Sequence, residues 1–76
     1  MTELEWLYKF SDKLRDEMKF ARITQSELAE EAMLSESSIS DYINARKMPK
    51  VKAIVNIAYA LGCGIDELIY FDDMID

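Results

Sequence analysis

A basic cluster lies near the middle of the chain, where Arg46, Lys47, Lys50 and Lys52 fall within seven residues. Guanidinium and ammonium groups bind phosphate oxygens through charge-assisted hydrogen bonds, so this cluster predicts contact with a polyanion. A solvated loop would explain the cluster equally well if it stood alone. Immediately before it, however, segment 35–41 concentrates serines and acids, whose side chains can donate or accept hydrogen bonds.

Groups that usually carry catalysis or bind metals are scarce. The chain has no histidine, one cysteine (Cys63) and no glycine-rich loop that could hold phosphates. No carboxylates or thiols are spaced along the sequence as metal ligands are. We therefore expect no enzymatic activity, no cofactor and no metal. Cys63 cannot form an internal disulfide and is interpreted as a small buried hydrophobic residue.

The overall charge argues against a nucleic acid as the partner, but its distribution does not. The 76 residues carry nine basic and 15 acidic side chains, a net charge of −6. Residues 53–76 hold five acids and no base, whereas residues 19–52 hold six bases and five acids. No apolar run reaches the roughly 18–20 residues of a membrane span, and the first residues are acidic where a signal peptide is basic. We expect a cytoplasmic protein.

The elements that would position these side chains are helices, because glycine, proline and β-branched runs are rare. A capping-box pattern at 2–5 opens an amphipathic helix that continues to Ala21. A second capping box, Thr24–Glu27, opens a short helix. Ser35 is a good N-cap for a third helix, from Glu36 to about Asn44.

The C-terminal half predicts two further helices. The more hydrophobic one covers 51–61, ends at Gly62 and is expected at the centre of the core. A short fifth helix begins at Gly64, with acids in its first turn where the helix dipole favours them. We expect one domain over 1–76, with an N-terminal helical extension (2–13) and an acidic C-terminal tail (70–76).

The stretch from Ile23 to Asn44, ITQSELAEEAMLSESSISDYIN, closely resembles the helix-turn-helix of the lambda repressor/Cro (XRE-type) family. The similarity continues through Arg46, Lys47 and Pro49 and covers about residues 14–69. The resemblance implies a five-helix lambda-repressor-like domain whose motif occupies about 24–44. In such domains the second helix of the motif enters the major groove of double-stranded DNA.

The resemblance also implies which side chains contact DNA. Gln25 matches the residue that holds a phosphate at the N-terminus of the second helix. Further phosphate contacts fall on Asn44, Arg46, Lys47 and Lys50. The base-facing positions are Ser35, Glu36, Ser37, Ser40 and Asp41. Ionised Glu36 and Asp41 can only accept hydrogen bonds, so cytosine N4 is their natural partner. A solvated helix face is the alternative for these polar residues.

Departures from the family pattern concern the turns and one ion pair. Met33 and Ala45 stand where glycine is usual, so each either adopts a positive φ or changes the shape of its turn. Met18 and Ile43 stand where many members pair a buried arginine with a glutamate. We interpret the latter change as an apolar replacement that leaves the fold intact.

The resemblance implies a sequence-specific DNA-binding transcriptional regulator, a repressor of phage or prophage type. The alternative, motivated by the acidic charge, is a protein-interaction module on the same fold, an adaptor or antirepressor that does not bind DNA. We expect a homodimer through helix 5 and the C-terminal tail, with the N-terminal aromatic residues contributing. The surplus apolar residues are Leu4, Trp6, Tyr8, Tyr70, Phe71, Met74 and Ile75. Packing of the two termini on each other is the competing explanation.

Overall fold

The computed structural model describes residues 2–69, which form four α-helices and a single 3₁₀ turn, with no strand among them. The helices are α1 (Glu3–Ala21), α2 (Gln25–Ala32), α3 (Glu36–Ile43) and α4 (Val51–Leu61), followed by the 3₁₀ turn Ile65–Glu67. The all-helical prediction is confirmed. The predicted fifth helix is only this 3₁₀ turn in the described residues, and the tail 70–76 lies outside them.

Side-chain caps begin three of the helices. At α2 the Thr24 hydroxyl accepts the Glu27 N–H at 3.1 Å, and the Glu27 carboxylate accepts the Thr24 N–H at 3.0 Å. The Ser35 hydroxyl accepts the Ser38 N–H at 3.0 Å and begins α3 as predicted. At α1 the Thr2 hydroxyl accepts the Glu5 N–H, but the Glu5 carboxylate accepts a hydrogen bond from the Thr2 hydroxyl instead of from a backbone N–H. The predicted capping box at Thr2 is therefore only half formed.

All four helices end in the same way, with one residue in the left-handed region. These residues are Arg22, Met33, Ala45 and Gly62, with φ of 56, 56, 55 and 69°. The next residue of each donates its N–H to the carbonyl five positions back, at 2.8 to 3.1 Å, as in a Schellman motif. Met33 and Ala45 thus adopt the conformation that glycine supplies in the family, and the turns keep their shape.

The core lies where α2 packs against both α3 and α4 and where α1 crosses α3. Its fully buried large side chains are Phe10, Leu14, Leu28, Ile39, Ile57 and Leu68. Met18 is also buried, and Ile43 lies at the edge of the core, so apolar packing occupies the positions of the missing ion pair. Cys63 is only half-buried, so its interpretation as a buried residue was partly wrong.

The apolar residues of α4 are not all in the core. Ile54, Ile57 and Ala58 are buried, but Val51 and Val55 are 77% and 42% exposed. With Tyr59, 85% exposed, they form a stripe at four-residue spacing on the outer side of α4. Hydrophobicity alone therefore overstated how much of this helix is buried. None of the helices in residues 2–69 is long and apolar enough to cross a membrane.

Candidate nucleic-acid interface

The helix pair α2–α3 is fixed from its inner side and open on its outer side. Leu28, Ala29 and Ile39 are buried between the two helices, as their apolar character predicts. Met33 closes the turn between them and keeps its side chain 82% exposed. The packing therefore sets the angle between the helices, while the outer side of α3 stays accessible.

The accessible side of α3 carries the predicted base-facing residues. Glu36 and Ser37 are exposed, and Ser40 and Asp41 are partly exposed. The Ser35 hydroxyl is already engaged, because it accepts the Ser38 N–H and donates to the Ser38 hydroxyl at 3.0 Å. Glu36 and Ser37 are accordingly the side chains most open to a ligand in the first turn of α3.

The acidic character of α3 is offset near its C-terminus. The Arg46 guanidinium lies 3.8 Å from the Asp41 carboxylate, and the Arg46 N–H donates to the Asp41 carbonyl at 2.8 Å. The Asn44 side-chain amide donates to the Ser40 carbonyl at 2.8 Å, which holds it against the last turn. Two predicted phosphate contacts are thereby placed directly beside two predicted base contacts.

The N-terminus of α2 presents Gln25 as an exposed side chain on its first residue. The Thr24 cap satisfies the Glu27 N–H, and the N–H groups of Gln25 and Ser26 have no acceptor in the described part of the chain. Such free N–H groups attract anions. The backbone N–H of Thr24, and then its hydroxyl, lower the pKa of Glu27, so this carboxylate stays ionised at the same helix end.

The basic cluster follows α3 and leads into α4. Lys47, Lys50 and Lys52 are exposed, and none of them forms an ion pair with an acid of residues 2–69. Lys50 precedes the first turn of α4 without giving it a side-chain cap. The cluster and the N-terminus of α4 together form a positively charged region beyond the C-terminal end of α3.

Two residues that anchor α3 were not predicted from the sequence. The buried Ser11 hydroxyl on α1 donates to the Tyr42 carbonyl at 2.6 Å, and Arg15 Nη1 donates to the Ile43 carbonyl at 2.7 Å. Both bonds satisfy the C-terminal carbonyls of α3, and the Arg15 charge complements the helix dipole there. A serine at a core position of α1 was the available signal, because buried hydroxyls need a partner.

One mixed cluster of ionisable groups lies away from α3. The Cys63 thiol and the carboxylates of Glu17 and Glu67 approach within 4.8 Å of one another. Burial, followed by the charges of Glu17 and Glu67, raises the pKa of Cys63, so the thiol stays protonated at neutral pH. Glu67 also accepts the Gly64 N–H at 2.8 Å. These residues are far apart in sequence, so spacing could not reveal their proximity.

Comparison with known proteins identifies the family to which this arrangement of helices belongs. A family model described as Helix-turn-helix matches residues 14–68, which include α2, α3, α4 and the 3₁₀ turn. The chain belongs to the XRE-type helix-turn-helix family. Proteins of this family are DNA-binding transcription regulators, and so is this chain; the fold is typically non-enzymatic.

Two solved structures share the fold of this family member. The restriction-modification controller protein C.AhdI from Aeromonas hydrophila superposes with a TM-score of 0.80 at 25% identity, over 83% of this chain and 96% of its own. The clp gene regulator ClgR from C. glutamicum gives a TM-score of 0.76 at 22% identity, over 90% of this chain and 86% of its own. No curated protein sequence matches the chain.

Proposed function

We propose that the chain binds specific duplex sequences as a homodimer and represses transcription in the cytoplasm. The observation that carries the proposal is the exposure of Glu36 and Ser37 on a helix that is anchored at its other end by Ser11 and Arg15. An open first turn on a firmly held helix is what insertion into a major groove about 12 Å wide requires. The resemblance to the controller protein C.AhdI supports a regulatory role.

The base contacts and the phosphate contacts have separate roles in this proposal. Glu36 and Ser37 read bases, with Ser35, Ser40 and Asp41 beside them. Gln25 at the start of α2 holds one strand, and Asn44, Arg46, Lys47 and Lys50 hold the other side of the groove. Pairing with Arg46 lowers the repulsion between Asp41 and the DNA backbone.

Dimerisation is proposed through the 3₁₀ turn Ile65–Glu67 and the tail 70–76, which lies outside the described residues, with the N-terminal part of α1 contributing. Leu4 and Tyr8 are each 55% exposed, whereas Trp6 stacks on Phe10 with the ring centroids 5.6 Å apart. Leu4 and Tyr8 are therefore the exposed apolar groups in the N-terminal part of α1, whereas Trp6 is partly buried against the core. Two copies would place two α3 helices about one DNA turn apart.

In vitro selection of bound sequences from random duplexes tests the proposal. We expect an enriched pair of half-sites about 10 base pairs apart at low salt. Glu36→Ala should change the preferred base at one position of each half-site, because it removes an acceptor from a base edge. Glu31→Ala, which removes an exposed acid from α2, is the matched control and should leave the preference unchanged.

Two outcomes would contradict the proposal. If the folded protein enriches no sequence at low salt, the protein-interaction alternative is favoured. If Glu36→Ala, like Glu31→Ala, leaves the preferred DNA sequence unchanged, the assignment of the base-facing positions is wrong. Gln25→Ala and Arg46→Ala should weaken binding to all sequences alike, because their partners are phosphates.

A further inference from the structure

A cleft of about 460 Å³ opens between the turn of the helix-turn-helix and the first half of α4. Its lining includes the ammonium-bearing side chains of Lys47, Lys50 and Lys52 together with Leu34, Tyr42 and Ala53. The volume is within the range of about 300–1,000 Å³ that small-molecule sites occupy. The cleft therefore has the size and the mixed polar and apolar walls of a ligand site.

The charge of the cleft is opposite to that of the whole chain. The chain carries a net charge of −6, yet three lysines and no acid line this cleft. Among residues 2–69 no carboxylate pairs with these lysines, whereas the neighbouring Arg46 pairs with Asp41. Because like charges repel, three ammonium groups around one cavity favour binding of an anion.

The α4 N-terminus adds to this preference. Lys50 precedes the 11-residue helix and supplies no side-chain cap, so the first N–H groups of α4 lack a side-chain acceptor. The helix dipole makes this end attractive to an oxyanion. Lys52 and Ala53 lie in the first turn of α4 and also line the cleft, which places the two features together.

We propose that this cleft binds a small phosphorylated organic molecule, with the phosphate on the lysines and the carbon skeleton against the exposed Met33 and the half-buried Leu34. Apolar walls favour an organic phosphate over a bare phosphate ion. A ligand bound there would occupy Lys47 and Lys50 and so compete with the DNA backbone. This second statement rests on the proposed function, but the binding itself does not.

Calorimetric titration without DNA tests the binding directly. The probes are AMP, ribose 5-phosphate, inorganic phosphate and adenosine, at matched ionic strength. We expect AMP or ribose 5-phosphate to bind at one saturable site, more tightly than inorganic phosphate or adenosine. Lys52→Gln should weaken this binding about tenfold, because one charge-assisted hydrogen bond is lost. Lys19→Gln, an exposed charge at the end of α1, should change it less than twofold.

The proposal is overturned if neither organic phosphate saturates a site, if inorganic phosphate or adenosine binds as tightly, or if Lys19→Gln weakens binding as much as Lys52→Gln.

A second titration adds AMP to a protein–duplex complex, and we expect the apparent DNA affinity to fall. Lys52 is not among the individual DNA contacts proposed above, so Lys52→Gln should weaken AMP binding about tenfold and lower the DNA affinity by a smaller factor. If AMP binds and no duplex does, only the proposed function fails; if duplexes bind and AMP does not, only this inference fails.

Discussion

Within residues 2–69, three residues other than glycine adopt a backbone conformation that glycine usually supplies, and each ends a helix. Arg22, Met33 and Ala45 have φ of 56, 56 and 55°. An L-residue in the left-handed region costs roughly 1–2 kcal/mol, which the hydrogen bonds of the following turn offset in part. Met33 is informative because its side chain is 82% exposed, so its replacement removes little packing.

Met33→Gly should therefore raise the free energy of unfolding by about 0.5–1 kcal/mol. The gain is the relieved backbone cost less the larger entropy of glycine in the unfolded chain, about 0.5–1 kcal/mol. Urea denaturation of both proteins measures the difference. Glu30→Gly, at an exposed position inside α2, is the control and should lose about 1 kcal/mol. A loss of stability in Met33→Gly as well would show that the turn is not strained.

The stabilisation that Glu27 gives to the N-terminus of α2 depends on pH. Hydrogen bonding to the Thr24 backbone, and then to its hydroxyl, lowers the pKa of Glu27 from the usual 4.5. Because the folded-state pKa is the lower one, the ionised carboxylate stabilises the fold above pH 4.5, and this contribution is lost as pH falls through the folded-state value.

An NMR titration of the Glu27 carboxyl should accordingly have its midpoint below 4.5. Glu27→Gln keeps a side-chain acceptor but cannot titrate, so it should remove this part of the acid dependence of unfolding. Thr24→Ala should bring the Glu27 midpoint back toward 4.5. A midpoint at or above 4.5 in the unmodified protein would mean that the capping box is not formed in solution.

At the scale of the element, α3 depends on α1 for its orientation. The Ser11 and Arg15 side chains bind the carbonyls of Tyr42 and Ile43, so the C-terminal end of α3 is held while its first turn stays open. Ser11→Ala should lower the free energy of unfolding by about 1–2 kcal/mol, because a buried hydrogen bond is lost and the Tyr42 carbonyl keeps only the longer bond, at 3.3 Å, from the Ala45 N–H.

Chemical denaturation measures this loss of stability. Titration with the selected duplex measures how far the loss changes the DNA affinity. Ser37→Ala is the control, since its exposed hydroxyl should contribute less than 0.5 kcal/mol to stability. If Ser11→Ala is as stable as Ser37→Ala, then the bond to Tyr42 does not anchor α3.

The helix starts could be predicted from sequence and the anchoring contacts could not, for one physical reason. Caps such as Thr24–Glu27 and Ser35–Ser38 join residues three apart, so the pattern is visible locally. The bond from Ser11 to Tyr42 joins residues 31 positions apart and exists only once the helices have packed. The ends at Met33 and Ala45 lacked the glycine signal, and only the resemblance to the family indicated them.

The same limit applied to burial and to the candidate site. Hydrophobicity predicted α4 at the centre of the core, but it could not show that the apolar Val51 and Val55 lie on an exposed outer stripe of this helix. The basic cluster was visible in the sequence, but its convergence on one cleft with Leu34 and Tyr42 was not. Gathering residues from the turn, α3 and α4 requires the tertiary structure.

For the whole molecule, an acidic protein must bind DNA through a few local cations. Arg46, Lys47 and Lys50 offer about three phosphate contacts per domain. The logarithm of the binding constant should then fall with the logarithm of salt concentration with a slope of about −3 for one domain and about −5 for a dimer. Lys50→Gln should make the slope shallower by about 1 per bound domain. A slope near zero would exclude backbone contacts by these lysines.

The most direct measurement of the central claim is a heteronuclear NMR titration of the protein with a duplex at low salt. We expect the amide resonances of Gln25, of residues 35–41, of residues 44–48 and of Lys50 to shift progressively, while those of the exposed side of α1 around Asp16 stay in place. The shifts should saturate when one protein domain is present for each DNA half-site. Unchanged resonances in α3, or shifts confined to α1 and the outer stripe of α4, would contradict the claim that α3 enters the groove.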